Sequence, residues 1–330
     1  MCPIERSGPA MLAGGRLPEK PPLPARDGVA ASRLYLPDGP WRTLGEFLPG
    51  RFPHIPPDIL TARLAAGDIV DSEGVAQRAD SPYRPRTWLW YYRQAPAEAR
   101  LPFELPVLFM DERLIAVDKP HFLASIPGGR HVHETALTRL RRSLDSVLIT
   151  PLHRLDRDTA GVLVFCRDPA ARGAYQTLFQ SRSVRKQYEA LAPIRGDLHL
   201  PLTRRSRLEP VPGRFTMHEV PGEPNSETRI VLEAALDPAG VNATPGPPDG
   251  AARMGRYRLY PVTGRKHQLR AHMSALGIPI LNDAFYPELL PKGRKDELDR
   301  PLKLLARSIE FEDPYTGELR RFESRLSLSL

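Results

Sequence analysis

The chain has 330 residues, 41% hydrophobic and 7% aromatic, enough for one large domain plus a smaller one with a sizeable core. No apolar run approaches the roughly 18 residues of a membrane span, Met1–Pro24 lacks the apolar core of a secretory signal, and two cysteines, Cys2 and Cys166, exclude a disulfide framework or a thiolate zinc site. The expected setting is therefore reducing and cytoplasmic, with no membrane partner, and the net charge of +8 suits a polyanionic one.

Residues 1–40 read as a disordered extension, given Pro18, Pro21, Pro22, Pro24 and scattered glycines. The character changes over 41–93. Leu44, Phe47 and Leu48 make a short helical stripe; Ile59, Leu60, Leu64 and the Ala65–Ala66 pair make a second, started at Pro56-Pro57-Asp58. Gly67–Gly74 turns into a hairpin, and Thr87–Tyr92 is apolar and aromatic enough for a strand, its rings packing a core or stacking on bases. Two helices ahead of a hairpin resemble an S4-like RNA-binding module, with Asp71-Ser72 standing where that family has Val-Asn. Residues 94–106 form a Pro/Ala-containing linker, leaving 107–330 as the main domain.

Val107–Pro120 reads as strand, Asp-Glu-Arg turn, strand, then Asp118-Lys119-Pro120, where Lys119 either reaches a phosphate or is an ordinary turn lysine. His131, His133 and Glu134 invite a metal reading, but HExxH needs a histidine where Leu137 stands, so no metal is expected. His153-Arg-Leu-Asp-Arg-Asp-Thr-Ala-Gly-Val-Leu-Val-Phe165 is a polar loop carrying Asp156 between Arg154 and Arg157. A tight turn at Thr159–Gly161 leads it into a buried strand, Val162–Cys166. A carboxylate at the mouth of such a strand, ringed by guanidiniums, suits a nucleophile or an anchor beside phosphates; incidental surface ion pairs are the plainer reading. Ala170–Gln180 has a helical pattern with Ala174, Leu178 and Phe179 inward, and Val184–Leu191 is a strand bearing Tyr188.

Thr228–Glu233 is a further strand, and Asp237–Gly250 an enlarged, mobile hairpin loop. Arg256–Pro261 alternates, placing Tyr257 and Leu259 on one face. Thr263-Gly-Arg265 turns into a helix over Lys266–Leu276, ended by Gly277, with Leu269, Met273 and Leu276 as its buried stripe and His267 and Arg270 on a neighbouring face. Basic residues cluster at Arg182, Arg185 and Lys186, at Arg204, Arg205 and Arg207, and between Arg253 and Arg270, where six lysines or arginines occur with no acid. One such run is usually a solvated face; three favour a phosphate-binding surface.

Four segments, in order, resemble one family, the RluA-type pseudouridine synthases, which isomerise uridine in RNA. The loop meets every specified position of the signature H-R-L-D-x-x-(T/S)-(S/A)-G. Lys186-Gln-Tyr188 is similar to the family's K-x-Y, Gly264–His272 to G-R-x-H-Q-(I/L)-R-x-H, and Gly277–Asp283 to G-x-P-I-x-G-D. The family's Pro-Ala-Gly becomes Pro120-His-Phe122, Asn282 replaces a glycine, and Leu305 stands at a histidine of the closing L-x-L-H-A segment. The resemblance implies an α+β fold with a mixed, largely antiparallel sheet and a central cleft, beside the small S4-like module. It implies a monomer acting without cofactor or metal on a stem-loop of ribosomal or transfer RNA. Asp156 would be the catalytic aspartate, attacking ribose C1′ or acting through a glycal route; Tyr188 would stack on the flipped uracil and Arg270 would pair with Asp156. Arg154 would fill the gap left in the RNA stack, with Arg157, Lys119, Arg265, Lys266 and His267 holding the RNA, the last three at a helix start. Two other classes stay open: an inactive RNA-binding protein with a synthase fold, and a hydrolase, which lacks a GxSxG or comparable nucleophile setting.

Overall fold

The structure, a computed structural model, describes residues 21–93, 98–210, 215–236, 253–289 and 296–330. The expected loop at 237–250, residues 1–20 of the expected extension and residues 94–97 of the expected linker lie outside that set. The chain divides into two compact units, one taking residues up to 98 with 127–133 and 140–147, the other the remainder of 99–330.

The first unit contains β1 (Ser32–Tyr35), α1 (Leu44–Arg51), α2 (Pro57–Ala65), β2 (Ile69–Val70) and β3 (Trp88–Tyr91). Thr43 caps α1 by accepting the Glu46 N–H at 3.3 Å, and Pro57 opens α2, where a missing N–H costs nothing. Leu44, Phe47, Leu48, Leu60 and Leu64 are buried as the two stripes predict, whereas Ile59 is exposed. The expected extension is ordered at its C-terminal end: β1 pairs with β3, which lies between β1 and β2 in an antiparallel sheet. Trp88 and Trp90 are buried, so these rings serve the core rather than a base-stacking surface. Asp71 closes the hairpin turn, its carboxylate accepting the Glu73 and Val75 N–H groups.

The other elements follow as β4 (Val107–Met110), β5 (Leu114–Lys119), α3 (Ala136–Ser143), β6 (Thr150–Pro151), β7 (Ala160–Cys166), α4 (Arg172–Gln180), β8 (Arg185–Pro193), β9 (Leu202–Pro210), β10 (Met217–Val220), β11 (Ser226–Leu236), β12 (Met254–Pro261), α5 (Gln268–Ala275), β13 (Leu304–Glu312) and β14 (Leu319–Glu323). Among the described residues they build a mixed, largely antiparallel 11-stranded sheet in the order β10-β9-β11-β12-β8-β13-β7-β5-β4, with β14 on β13 and β6 on β7. β13 and β7 run parallel; every other pairing is antiparallel. All seven residues of β7 are buried, as a strand lying between two others and covered on its faces must be. Its apolar side chains pack with Leu114, Ala116, Tyr175, Phe311 and Phe322. On the other half of the sheet Ala190, Ile230, Tyr257 and Leu259 pack under Leu269 and Met273 of α5.

Two sequence expectations change. α4 seats Tyr175 deepest, 1% exposed and donating to Asp313 at 3.0 Å, while Leu178 and Phe179 face inward as expected but pack half-buried against the same core, and Ala174 is half-buried. Arg207 pairs with Glu209 within β9, and acids of neighbouring strands neutralise most of the other basic runs: Arg204 pairs with Glu219, Arg205 with Glu227, Arg185 with Glu310, Arg256 with Glu189 and Arg258 with Glu233. A strand read alone hides these partners, because opposite-charge pairs form across the ladder. No helix is long and apolar enough to cross a membrane, among the described residues.

Candidate active site

Asp156 sits in the loop entering β7, and the 119–125 segment fixes the backbone on both sides of it. Ser125 donates its hydroxyl to the Leu155 carbonyl at 2.7 Å and accepts the Leu155 N–H at 3.0 Å. Lys119 donates its ammonium to the carbonyls of Arg157, Pro120 and Leu123 at 3.1, 3.0 and 2.7 Å. Burial pulls His121 down to about 4, so its neutral ring donates Nδ1–H to the Asp158 carbonyl at 2.6 Å. Thr159 closes the turn onto the Asp156 carbonyl at 3.1 Å. His153, likewise neutral through burial, accepts the Val164 N–H at 3.1 Å and lies against Phe179. The carboxylate of Asp156 therefore projects from a backbone whose carbonyls are already engaged, which is what positions a reactive group without relying on its own contacts.

The glycine of the signature is required by the sheet. Gly161 adopts φ +109°, and a Cβ there would lie 2.2 Å from the Ala306 carbonyl oxygen. That close approach registers Gly161 against Ala306, and Ala306 in turn against Tyr188 of β8. Asp156 and Tyr188, far apart in sequence, thus meet through one rung of β13. Tyr188 is half-buried, and burial with the nearby Asp156 charge pushes its phenol above its ordinary value, so it stays protonated.

Arg270 is the third member, 1% exposed on α5. Its Nε and Nη2 donate to Asp283 at 2.8 and 2.5 Å, and the side chain of Asp283 is fully buried. Among the described residues Nη1 has no hydrogen-bond partner, and it stands 3.8 Å from both Asp156 and Asp158. Burial alone would lower Arg270, but the Asp283 hydrogen bonds and the charges of Asp283, Asp156 and Asp158 outweigh it and hold the guanidinium charged. The arrangement is a fixed cation offering one unclaimed N–H donor edge beside a partly exposed carboxylate.

Several sequence-predicted RNA-binding residues lie elsewhere than expected. Lys119 is 0% exposed with its ammonium fully engaged, so it braces the loop instead of reaching phosphate; burial pulls it to about 7 against the opposing pull of Asp158 and Asp156. His267 is 4% exposed among Phe215, Phe285 and Tyr286, and burial holds it near 2, a neutral packing ring and no phosphate ligand. It adopts φ 53° ahead of α5, which starts at Gln268 because the Gln268 side chain turns back to accept the Arg265 N–H at 3.0 Å. That amide is therefore spent internally rather than offered to phosphate. Arg157 is paired with Asp158 and Asp296. Arg154, Arg265 and Lys266 are exposed, and Arg154 makes no hydrogen bond or ion pair among the described residues. Sequence reasoning gave no role to Asp283, Ser125 or His121; the one signal for Asp283 is its place at the end of the Gly277–Asp283 segment.

Comparison with known proteins decides the family. A family described as RNA pseudouridylate synthase matches residues 113–275. A "Dual-specificity RNA pseudouridine synthase RluA" of Haemophilus influenzae is 31% identical over 236 residues, covering 67% of this chain and 93% of that one. The protein of the same name from Salmonella typhi is 34% identical over 227 residues, covering 66% and 92%. The chain belongs to the RluA-type pseudouridine synthases. It is an isomerase that converts uridine in RNA to pseudouridine. The solved structure of "Human RNA Pseudouridylate Synthase Domain Containing 1" has the same fold, with TM-score 0.52 and 25% identity over 70% of this chain and 86% of that one.

As an RluA-type synthase the chain departs from the family pattern in ways the backbone explains. Phe122 and Asn282, both at family glycines, have φ of 65° and 61°. The left-handed conformation is thus kept without the residue that adopts it freely. Asn tolerates it, and its Nδ2 donates to the Pro301 carbonyl at 3.1 Å. For Phe122 the strain is on the order of 1–2 kcal/mol, set against burial beneath the Arg157 guanidinium, 5.7 Å from its ring. Leu305, at the family histidine, is 0% exposed and packs with Ala160, Leu191 and Leu328.

Proposed function

We propose that this synthase isomerises one specific uridine in a structured ribosomal or transfer RNA, with the base flipped out of its stack and Asp156 as the nucleophile. The observation that carries the reading is Asp156, fixed through its backbone and partly exposed, 3.8 Å from the unclaimed Nη1 of Arg270. Asp156 attacks ribose C1′ and the uracil leaves through N1 with the bonding pair. The base turns, C5 bonds to C1′ as the carboxylate departs, the C5 proton is lost and N1 regains one. Arg270 sets its charge beside the Asp156 carboxylate, and its Nη1 can follow the carboxylate or the freed uracil oxygen. Tyr188, protonated and beside Asp156, stacks on the flipped uracil and hands a proton to or from the ribose or base. Arg154, exposed and uncommitted, fills the gap in the RNA stack, and Arg265 and Lys266 take phosphates.

The N-terminal unit is read in the same proposal as a degenerate S4-like module, on its order of two helices before a hairpin. Its one basic side chain in the last turn of α2, Arg63, is buried and donates to the Tyr92 carbonyl at 2.6 Å, which suits packing more than RNA contact.

The test is tritium release from 5-tritiated uridine in unmodified transfer and ribosomal RNA transcripts, with wild type and Asp156→Ala side by side. Release by wild type alone is expected, and the transcript that responds identifies the RNA class. Equal release by both proteins overturns the role of Asp156. RNA binding by both without release favours a synthase fold that has lost its activity.

A further inference from the structure

A run of aromatic rings leads away from Arg270. Its guanidinium carbon lies 4.5 Å from the centroid of Phe285, which is half-buried in the segment after α5. The His267 ring stacks on Phe285 at 5.3 Å and 25°, and Phe215 meets Phe285 edge-on at 5.1 Å and 71°. Phe215 is the end of the run and 45% exposed.

A singly exposed phenylalanine is ordinary on a protein surface. This one is held in place from several sides. Lys266 donates to the Phe215 carbonyl at 2.6 Å and sets its ammonium 3.5 Å from the ring centroid. Two residues on, Met217 exchanges two hydrogen bonds with the buried Tyr286 hydroxyl, at 2.8 and 3.0 Å. The intervening Thr216 is buried, so the backbone is anchored while the half-exposed ring, beside the exposed Lys266, faces out. An anchored, exposed aromatic, an adjacent cation and contact continuity with Arg270 are the parts of a single-strand nucleic-acid platform, where each base offers a π face and each phosphate a charge.

We propose that Phe215 is a stacking shelf for an RNA nucleobase flanking the target uridine, with Lys266 neutralising the adjoining phosphate. This rests on the reading above, in which Asp156 and Arg270 receive the target. The path from target to shelf is short: Asp156 to Arg270, Arg270 to Phe285, Phe285 to Phe215. A base held there fixes the strand on one side of the flipped nucleotide and gives the enzyme a grip that needs no particular sequence.

The test separates stacking from packing. Phe215→Leu keeps apolar bulk and removes the π face; Phe215→Trp enlarges that face. On the unmodified transcript giving the greatest tritium release with wild type, Phe215→Leu is expected to raise KM about tenfold or more, within the range of base–aromatic stacking. Phe215→Trp is expected to hold KM near wild type and to show fluorescence quenching by that RNA beyond the wild-type response. A Phe215→Leu enzyme with wild-type KM overturns the proposal, as does an unquenched tryptophan at saturating RNA. Absence of release by wild type itself would overturn the proposed reaction; quenching at position 215 would then still report directly on the shelf.

Discussion

Arginine brings five N–H donors, and at 1% exposure Arg270 cannot leave them to water. Asp283 accepts from two of its nitrogens, while Nη1 is left between Asp156 and Asp158, each farther than a hydrogen bond. Asp283 is thus the hydrogen-bonded partner, and Asp156, in the proposed reaction, the one free to leave. Removing a buried partner strands the remaining charge, so Asp283→Ala is expected to destabilise the protein by about 3–5 kcal/mol in a denaturant titration. Asp283→Asn keeps the acceptor shape and folds more stably than Asp283→Ala. With the guanidinium no longer fixed it should lose about 100-fold in kcat and comparatively little in KM. A kcat for Asp283→Asn within a few-fold of wild type would show that Arg270 holds its place without this pair. Asp283 is 13 residues from Arg270, and Lys266 is 51 from Phe215. Neither separation matches a helix or strand period, so no pattern along the chain could pair them. Asp156, Tyr188 and Arg270 each sit in a local motif, which is why the sequence alone offers them as candidates.

At the scale of elements, β7 owes its position to one missing side chain. With Gly161 at φ +109° and the Ala306 oxygen 2.2 Å from any Cβ, Gly161→Ala must either break the parallel pairing with β13 or shift the Asp156 loop. Loss of at least about 3 kcal/mol is expected, combining backbone strain with overpacking. A soluble variant with unchanged denaturation midpoint would mean the two strands can separate cheaply. The sequence revealed β7 itself, since an apolar run behind a glycine turn is a buried strand by composition. It revealed Leu269 and Met273 as the inner face of α5 but put the start too early, because the Gln268 side chain that ends the turn is polar and aperiodic. On α4 the pattern favoured Leu178 and Phe179, whereas the deep position went to Tyr175, whose hydroxyl needs Asp313 from a distant strand end. Amphipathic faces are local; the partners that let polar groups be buried are not.

For the whole molecule the net charge of +8 overstates the free positive surface. Cross-strand carboxylates already hold Arg204, Arg205, Arg256 and Arg258. Only cations that meet RNA phosphates release counterions, so the slope of log affinity against log salt counts those and not the total. Arg265→Gln is expected to lower that slope by about one, and Arg205→Gln to leave it nearly unchanged. Equal effects would mean that the Glu227 pair opens on binding and that the whole strand face carries RNA.

The insertion of β13 between β7 and β8 has a consequence for biosynthesis. The loop carrying Asp156 and the strand carrying Tyr188 come from the middle of the sequence, yet the rung joining them is Ala306, far along it. Until that strand has emerged, Asp156, Tyr188 and Arg270 have all been synthesised, but the rung that registers the Asp156 loop against Tyr188 is missing.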